Sequence, residues 1–153
     1  MMDTHRQRGF TLVEAMIVGA ILAIVTLVGI PEMRTLMVSQ RVRAASSDVL
    51  STMLYARSEA VKRNATVAVV PVDASWTKGW RIQISGRGTL LRSHGGIGTI
   101  SASGPSTGIR YGANGRLSGG AEKFQLTGDY GAVARCVRVD TSGRPHLTAR
   151  ACS

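Results

Sequence analysis

The chain has 153 residues and a formal net charge of +10, from 19 Lys and Arg against 9 Asp and Glu. That length accommodates one domain plus one additional long helix, and the sequence has no internal repeat. Its three His and two Cys lack the spacing of zinc ligands, so we expect no metal site and no cofactor. Of the 19 basic residues 16 are Arg, which favours polyanion partners because guanidinium groups bind phosphate bidentately. A general role in solubility explains the charge equally well.

The N-terminal part combines a short basic segment, a six-residue motif and a long apolar run. Residues 1–8 are basic and precede Gly9-Phe10-Thr11-Leu12-Val13-Glu14, and residues 15–30 carry no charge. From position 10 to Pro31 the run is about as long as a helix needs to be to cross a bilayer. A carboxylate at membrane depth is unfavourable by roughly 2–4 kcal/mol, so Glu14 is expected to have a specific partner.

This motif resembles the processing signal of type IV pilins and type II secretion pseudopilins. The resemblance implies that a prepilin peptidase cleaves between Gly9 and Phe10, which removes residues 1–9 as a leader, and that Phe10 is then methylated. It also implies that Glu14 neutralises the N-terminal amine of a neighbouring subunit in a filament. Because each charge offsets much of the other's desolvation, such a pair favours assembly. The alternative is that Glu14 lies near the lipid headgroups and is hydrated.

The same resemblance predicts where the chain is located. Residues 10–31 are expected to form a transmembrane helix, so that the unassembled protein is a single-pass protein of the bacterial inner membrane with its head facing the periplasm. After assembly it would be part of a pilus at the cell surface. An ordinary cleaved secretory signal is disfavoured because no Ala-x-Ala-like site closes the apolar run.

Residues 32–153 are predicted to form a globular head. From position 32 to Asn64 apolar residues recur at steps of three and four, which predicts an amphipathic helix that continues the first one through or past Pro31. After Asn64 the period changes to two, which predicts a β-rich region over 65–153. The predicted fold class is therefore α+β. It corresponds to a type IV pilin fold, in which a long N-terminal α-helix packs on a mostly antiparallel β-sheet or on two small sheets.

Seven strands are predicted from alternation and turn signals. They cover residues 66–70, 79–84, 89–92, 109–111, 123–127, 135–139 and 146–148. Asn114-Gly115 is a strong hairpin-turn signal. The Gly- and Ser-rich stretch 93–108 is predicted to be a loop from which Ile97 and Ile100 contact the sheet.

Two further stretches resemble the FimT/GspH subfamily of these pilin-like proteins. One runs from Tyr55 to Asn64 at the predicted helix end, and the other from Cys136 to Cys152 around a Ser-Gly-Arg turn. The two cysteines, 16 positions apart in an exported domain, are interpreted as one disulfide.

Basic residues gather in this C-terminal region. Some FimT proteins bind DNA through a Gly-Arg-x-Arg motif here, whereas this chain has Gly143-Arg144-Pro145-His146, with histidine in place of the second arginine. The resemblance implies non-specific, salt-sensitive binding of double-stranded DNA for uptake in natural transformation. The residues predicted to contact DNA are Arg135, Arg138, Arg144, His146 and Arg150. The alternative is a solvated basic face with acidic partners such as Asp129 and Asp140.

The resemblance thus implies a minor type IV pilin whose basic head binds DNA. The alternative is a type II secretion pseudopilin, or a pilin that only primes assembly, without DNA binding. The expected partners are other pilin subunits, the prepilin peptidase, the inner membrane and duplex DNA. No enzymatic activity is expected, because His94 is predicted in a Gly-rich loop, His146 lies beside a proline, and both cysteines are expected to be oxidised.

Overall fold

The computed structural model describes residues 10–129 and 133–153, and within the helix the side chains of residues 28–32 are outside the description. The predicted leader, residues 1–9, also lies outside the described residues. The described chain has one helix and eight strands. They are α1 (Leu12–Arg63), β1 (Val67–Val72), β2 (Ser75–Ile84), β3 (Leu90–His94), β4 (Ser101–Ser103), β5 (Ile109–Tyr111), β6 (Glu122–Thr127), β7 (Ala134–Val139) and β8 (Pro145–Thr148).

Both ends of α1 are closed by local hydrogen bonds. At the start, the backbone N–H of Glu14 donates to the Thr11 hydroxyl at 3.3 Å, which is the contact of an N-cap. At the end, Asn64 takes a left-handed φ of 47°, and the N–H of Ala65 donates to the Ala60 carbonyl at 3.1 Å. This is a Schellman arrangement in which Asn replaces the usual Gly. The two helical segments predicted from the sequence are therefore one element.

The chain divides into two compact units, Met1–Met37 and Val38–Ser153. In the first unit the described large apolar side chains are exposed, including Phe10 at 77%. Among the described residues no helix is long and apolar enough to cross a membrane. The predicted span includes residues 28–31, whose side chains are not among those described.

The second unit contains two four-stranded antiparallel sheets. Sheet A has the order β3-β2-β1-β5, and sheet B has the order β4-β6-β7-β8. The short β4 lies inside the stretch 93–108, so the prediction of loop throughout that stretch was wrong. Residue His94, which was predicted in the loop, is instead the last residue of β3. Ile100 is buried and Ile97 packs against the core, as predicted.

The core of the second unit lies between one face of α1 and the inner faces of both sheets. The helix contributes small and flexible side chains, which let the sheets approach closely: Val42, Ala45, Val49, Met53, Ala56 and Ala60. An aromatic cluster fills the centre, where Trp76 meets Phe124 edge-on at 4.7 Å between ring centroids. The indole N–H of Trp80 donates to the hydroxyl of buried Thr52 at 3.0 Å, which joins sheet A to the helix.

Candidate functional site

The N-terminal segment presents an apolar surface with one acidic group. Its described side chains from Phe10 to residue 27 are exposed, and so is Glu14. The Glu14 carboxylate has no ion pair among the described residues. Besides Thr11, the described run has one residue with a hydroxyl, Thr26. That hydroxyl donates within the helix to the carbonyls of Leu22 and Ala23, both at 2.9 Å. Of the predicted processing residues, Gly9 lies outside the description and Phe10 is the first described residue.

The outer face of sheet B is basic. The register of its strands places several basic side chains side by side in one row across this face. Lys123 on β6 pairs with Arg138 on β7, and Arg138 pairs with His146 on β8. Directly opposed residues in antiparallel strands point to the same side, so these three side chains share the outer face. The N–H of Asp140 donates to the carbonyl of Arg144 at 3.0 Å, which continues the pairing by one step. Arg144 therefore joins this face at the β7–β8 turn.

Two of these basic groups, His146 and Lys123, already have partners within the protein. The His146 Nε2 lies 2.9 Å from a carboxylate oxygen of Asp140. The Lys123 ammonium donates to the backbone carbonyl of Ser153. Arg138 and Arg144 are exposed, and neither has an ion pair within the described part of the chain.

The C-terminal residues cross the outer face of sheet B. A disulfide joins Cys136 to Cys152, with a Cα–Cα distance of 5.0 Å. The N–H of Cys152 donates to the side-chain carbonyl of Gln125 on β6 at 3.3 Å. Together with the Lys123–Ser153 contact, these bonds hold the tail from the end of β8 across β7 to β6.

The structure separates the five residues predicted to contact DNA. Arg138, His146 and Arg144 lie on one face, as described above. Arg150 is exposed but follows β8, which ends at Thr148, so it belongs to the crossing tail and not to the strand row. Arg135 is half-buried and lies on the opposite face of β7, with the core residues Val137 and Val139. Strand alternation alone already indicated that Arg135 and Arg138 point to opposite sides.

A packed node between the two sheets was not found from the sequence. The Arg57 Nε donates to the Gly115 carbonyl at 3.0 Å, and a Cβ added to Gly143 would lie 2.1 Å from that same carbonyl oxygen. The Tyr111 hydroxyl is buried beside this node without a hydrogen-bond partner in the described structure. Burial raises the pKa of the Tyr111 phenol, and nearby Arg57 opposes that shift. The Asn-Gly signal marked this turn, but no sequence signal shows what packs on it.

His94 also has contacts that its glycine-rich neighbourhood concealed. Its ring stacks on Trp80 at 4.2 Å between centroids, with 6° between the planes. Its Nε2 lies 3.4 Å from a carboxylate oxygen of Asp48 on α1, and its Nδ1 lies 2.7 Å from the Gly95 carbonyl. This cluster fixes β3 against the helix. No group of three metal-ligating side chains occurs within the described ranges.

Comparison with known proteins gives two family matches. The model for the family described as Type II transport protein GspH matches residues 45–143. The model for the prokaryotic N-terminal methylation motif matches residues 4–30. No sequence among curated proteins matches the chain.

Three solved structures resemble this fold. Two are crystal forms of the type IV minor pilin FimU from Pseudomonas aeruginosa. One has 25% sequence identity and a TM-score of 0.67, and covers 74% of this chain and 94% of that one. The other has 26% identity and a TM-score of 0.64, and covers 72% and 97%. The third is the minor pseudopilin EpsH from the Type 2 Secretion System of Vibrio cholerae, with 12% identity, a TM-score of 0.55, and coverage of 73% and 97%.

Proposed function

Because the chain belongs to the Type II transport protein GspH family of pilin-like proteins, we propose that it is a minor pilin that is cleaved after Gly9 and built into a type IV pilus. The observation that carries this proposal is the exposed apolar surface of the helix from Phe10 to residue 27. Such a surface is unstable in water, so it requires lipid before assembly and neighbouring helices afterwards. We propose that the first environment is the bacterial inner membrane and the second is a pilus. The prepilin peptidase would cleave the chain before it passes from the membrane into the pilus. The role is structural and involves no catalysis.

A pilus subunit is favoured over a secretion pseudopilin by the comparison with solved structures. Both FimU structures have higher sequence identity and higher TM-scores than the EpsH structure does. The likeness to EpsH is at the level of fold alone. We expect the chain to be present in purified pili and absent from secretion pseudopili of the same cells.

Assembly is proposed to depend on Glu14 and the N-terminal amine of a neighbouring subunit. Changing Glu14→Ala is expected to leave cleavage after Gly9 and methylation of Phe10 intact, but to remove the subunit from filaments. Mass spectrometry of the membrane-bound chain reports on processing, and immunoblotting of sheared filaments reports on incorporation.

The matched control is Thr26→Val. It removes another polar group from the same apolar run, but one whose hydroxyl is satisfied within its own helix. This variant should enter filaments normally. Normal incorporation of Glu14→Ala would contradict the pairing.

DNA binding is the second function that we propose, for the outer face of sheet B and for uptake in natural transformation. What supports it is that Arg138 and Arg144 are exposed on one face without ion pairs in the described chain. Guanidinium groups in that state are free to bind phosphates, and the binding should be independent of DNA sequence. The His146–Asp140 contact limits what His146 adds.

The test is titration of the full chain in detergent with a labelled DNA duplex at several salt concentrations. Replacing Arg138 and Arg144 with Gln should remove two phosphate contacts and lower the salt-dependence slope by about 2. The control is Arg110→Gln, which removes an exposed charge from sheet A. Equal slopes for all three proteins, or no binding at low salt, would rule out this face as a DNA site.

A further inference from the structure

Several turns of the second unit meet at the end of α1 that is remote from Val38. Val67, the first residue of β1, pairs with both Ile84 at the end of β2 and Tyr111 at the end of β5. The Gly115 turn contacts α1, and the β7–β8 turn at Gly143 packs on Gly115. We call this region, made of residues 62–65, 85–88, 112–116 and 141–144, the turn end.

The turn end has an excess of positive charge. Its cations are Lys62, Arg63, Arg87, Arg116 and Arg144. Two carboxylates lie close to it, and each already has a partner: Glu59 pairs with Arg63, and Asp140 pairs with His146. Arg87 is exposed on the β2–β3 turn and has no ion pair among the described residues.

A cavity opens between two of these segments, the end of α1 and the β2–β3 turn. It has a volume of about 440 Å³ and is lined by Arg63, Asn64, Ala65, Ile84, Ser85 and Arg87. Four of these residues carry side-chain hydrogen-bond donors, and no carboxylate is among them. The two guanidinium groups come from different elements, one from the last residue of α1 and one from the β2–β3 turn.

The contacts of Arg63 hold its guanidinium in position at the cavity. Its Nε donates to a Glu59 carboxylate oxygen at 2.5 Å, and that carboxylate is nearly buried. The two terminal nitrogens of Arg63 make no protein hydrogen bond in the described structure. Glu59 therefore fixes the side chain through one edge and leaves the other donors available. The left-handed backbone of Asn64 lets the chain turn directly after α1 and places the Asn64 amide in the same lining.

We propose that this cavity is a phosphate-binding site, with Arg63 and Arg87 as its two charged ligands and Asn64 and Ser85 as neutral donors. Guanidinium groups donate in a fixed fork that matches the oxygens of phosphate. Two forks from separate elements can engage different pairs of oxygens on one tetrahedral group, which a planar carboxylate does not offer. The volume also accommodates a phosphate together with the group to which it is esterified.

One local field opposes an anion here. The carbonyl end of a helix carries partial negative charge, and basic side chains in the last turn often serve only to balance it. Lys62 and Arg63 fit that role. Arg87 does not, because it belongs to a turn between two strands, and its position beside the cavity is what distinguishes a binding site from a helix cap.

This site is separate from the outer face of sheet B. Neither Arg63 nor Arg87 belongs to that face, so the inference holds whether or not the face binds DNA. The phosphate could be inorganic or could belong to a nucleic acid backbone, and the two sources share the same chemistry at the cavity.

The first arm of the test titrates inorganic phosphate into the full chain in detergent, at ionic strength held constant with chloride. Backbone amide chemical shifts of residues 64 and 85–88 should change and saturate. Arg87→Gln should weaken phosphate binding about tenfold, the loss expected for one charge-assisted interaction. Arg81→Gln removes an equal charge from an exposed position on β2 outside the cavity and should leave the affinity unchanged.

Shifts that do not saturate, or equal losses in the two variants, would overturn the proposal. The second arm repeats the comparison with a DNA duplex. A matching loss of duplex binding in Arg87→Gln identifies a nucleic acid backbone as a source of the phosphate, and unchanged duplex binding identifies a free phosphate compound. The variant with Gln at both Arg138 and Arg144 should bind phosphate as the parent does. This result separates the phosphate site from the proposed DNA-binding face of sheet B.

Discussion

At the scale of single residues, Gly143 in the β7–β8 turn packs closely on Gly115 in the turn that follows β5. Gly143 has a φ of 80°, and an added Cβ would lie 2.1 Å from the Gly115 carbonyl oxygen. That oxygen is also held by the Arg57 Nε. The position therefore needs glycine for two reasons, the left-handed backbone and the space.

We expect Gly143→Ala to lower the free energy of unfolding by at least about 3 kcal/mol, because strain and a backbone clash add. Urea denaturation followed by tryptophan fluorescence measures the loss. Gly86→Ala is the control, since Gly86 has a similar φ of 84° but open space around its Cβ position. It should cost about 1–2 kcal/mol from strain alone. Similar losses in the two variants would show that the turns of Gly143 and Gly115 are not in close contact.

Tyr111 gives a pH dependence at the same node. Because burial raises the pKa of its phenol above the ordinary value of 10.0, the unfolded chain releases this proton first as the pH rises. The stability contributed by the neutral phenol is complete below pH 10 and decreases above it, by up to about 1.4 kcal/mol per pH unit. In Tyr111→Phe this decrease should be absent. At pH 8 the variant should be within about 1 kcal/mol of the parent, since the hydroxyl has no hydrogen-bond partner among the described residues.

Denaturation curves for Tyr111→Phe and the parent at pH 8 and pH 11 provide the comparison. Other tyrosines and the lysines titrate in both proteins, so the difference between the two isolates Tyr111. Parallel losses of stability between the two pH values would contradict the buried neutral phenol.

At the scale of elements, the helix and sheet A are joined by the hydrogen bond from Trp80 to Thr52. Both partners are buried, so loss of the acceptor leaves an indole N–H without a partner. We expect Thr52→Val to lower the free energy of unfolding by about 1–3 kcal/mol. Ser51→Ala, at the neighbouring exposed position, should change it by less than about 0.5 kcal/mol. Thermal unfolding of the two variants measures these losses. Equal stabilities of the two variants would show that the Trp80–Thr52 hydrogen bond does not stabilise the fold.

The elements themselves were largely predictable from local pattern. Period-two alternation located β6 and β7 to within one residue, and the change of period after Asn64 gave the end of α1. Alternation could not predict which strands pair with each other. The short β4 has little pattern over Ser101–Ser103 and exists because β6 offers it an open edge. The division into two sheets follows from β5 pairing with β1, a contact between residues about 40 positions apart.

The candidate site was predictable only in part, for the same reason. Alternation correctly placed Arg138 and Arg135 on opposite faces of β7. The predicted last strand also ended at Thr148, but the sequence could not show that the chain then crosses sheet B, which takes Arg150 out of the row. The cavity at Arg63 and Arg87 joins residues 24 positions apart that no periodicity connects.

At the scale of the whole molecule, the second unit is self-sufficient in its core. Among the described residues, the whole buried cluster lies between Val42 and Val139. We therefore expect residues 38–153 alone to fold, with the near-ultraviolet circular dichroism of the full chain in detergent. Residues 46–153 form the control, because this shorter piece lacks the buried Val42 and Ala45. It should be less stable than residues 38–153 by about 2–4 kcal/mol. A 38–153 fragment without fixed aromatic signals would show that the first unit is needed for folding.

The crossing tail has a practical consequence for labelling. A fluorescent protein or epitope fused after Ser153 would emerge from the middle of sheet B, beside Lys123 and the disulfide, and would crowd the basic face. The exposed Gly119-Gly120 pair, where an added Cβ meets nothing within 4 Å, is a better insertion point for a short peptide tag. Imaging experiments that rely on C-terminal fusions would therefore disturb the basic face itself.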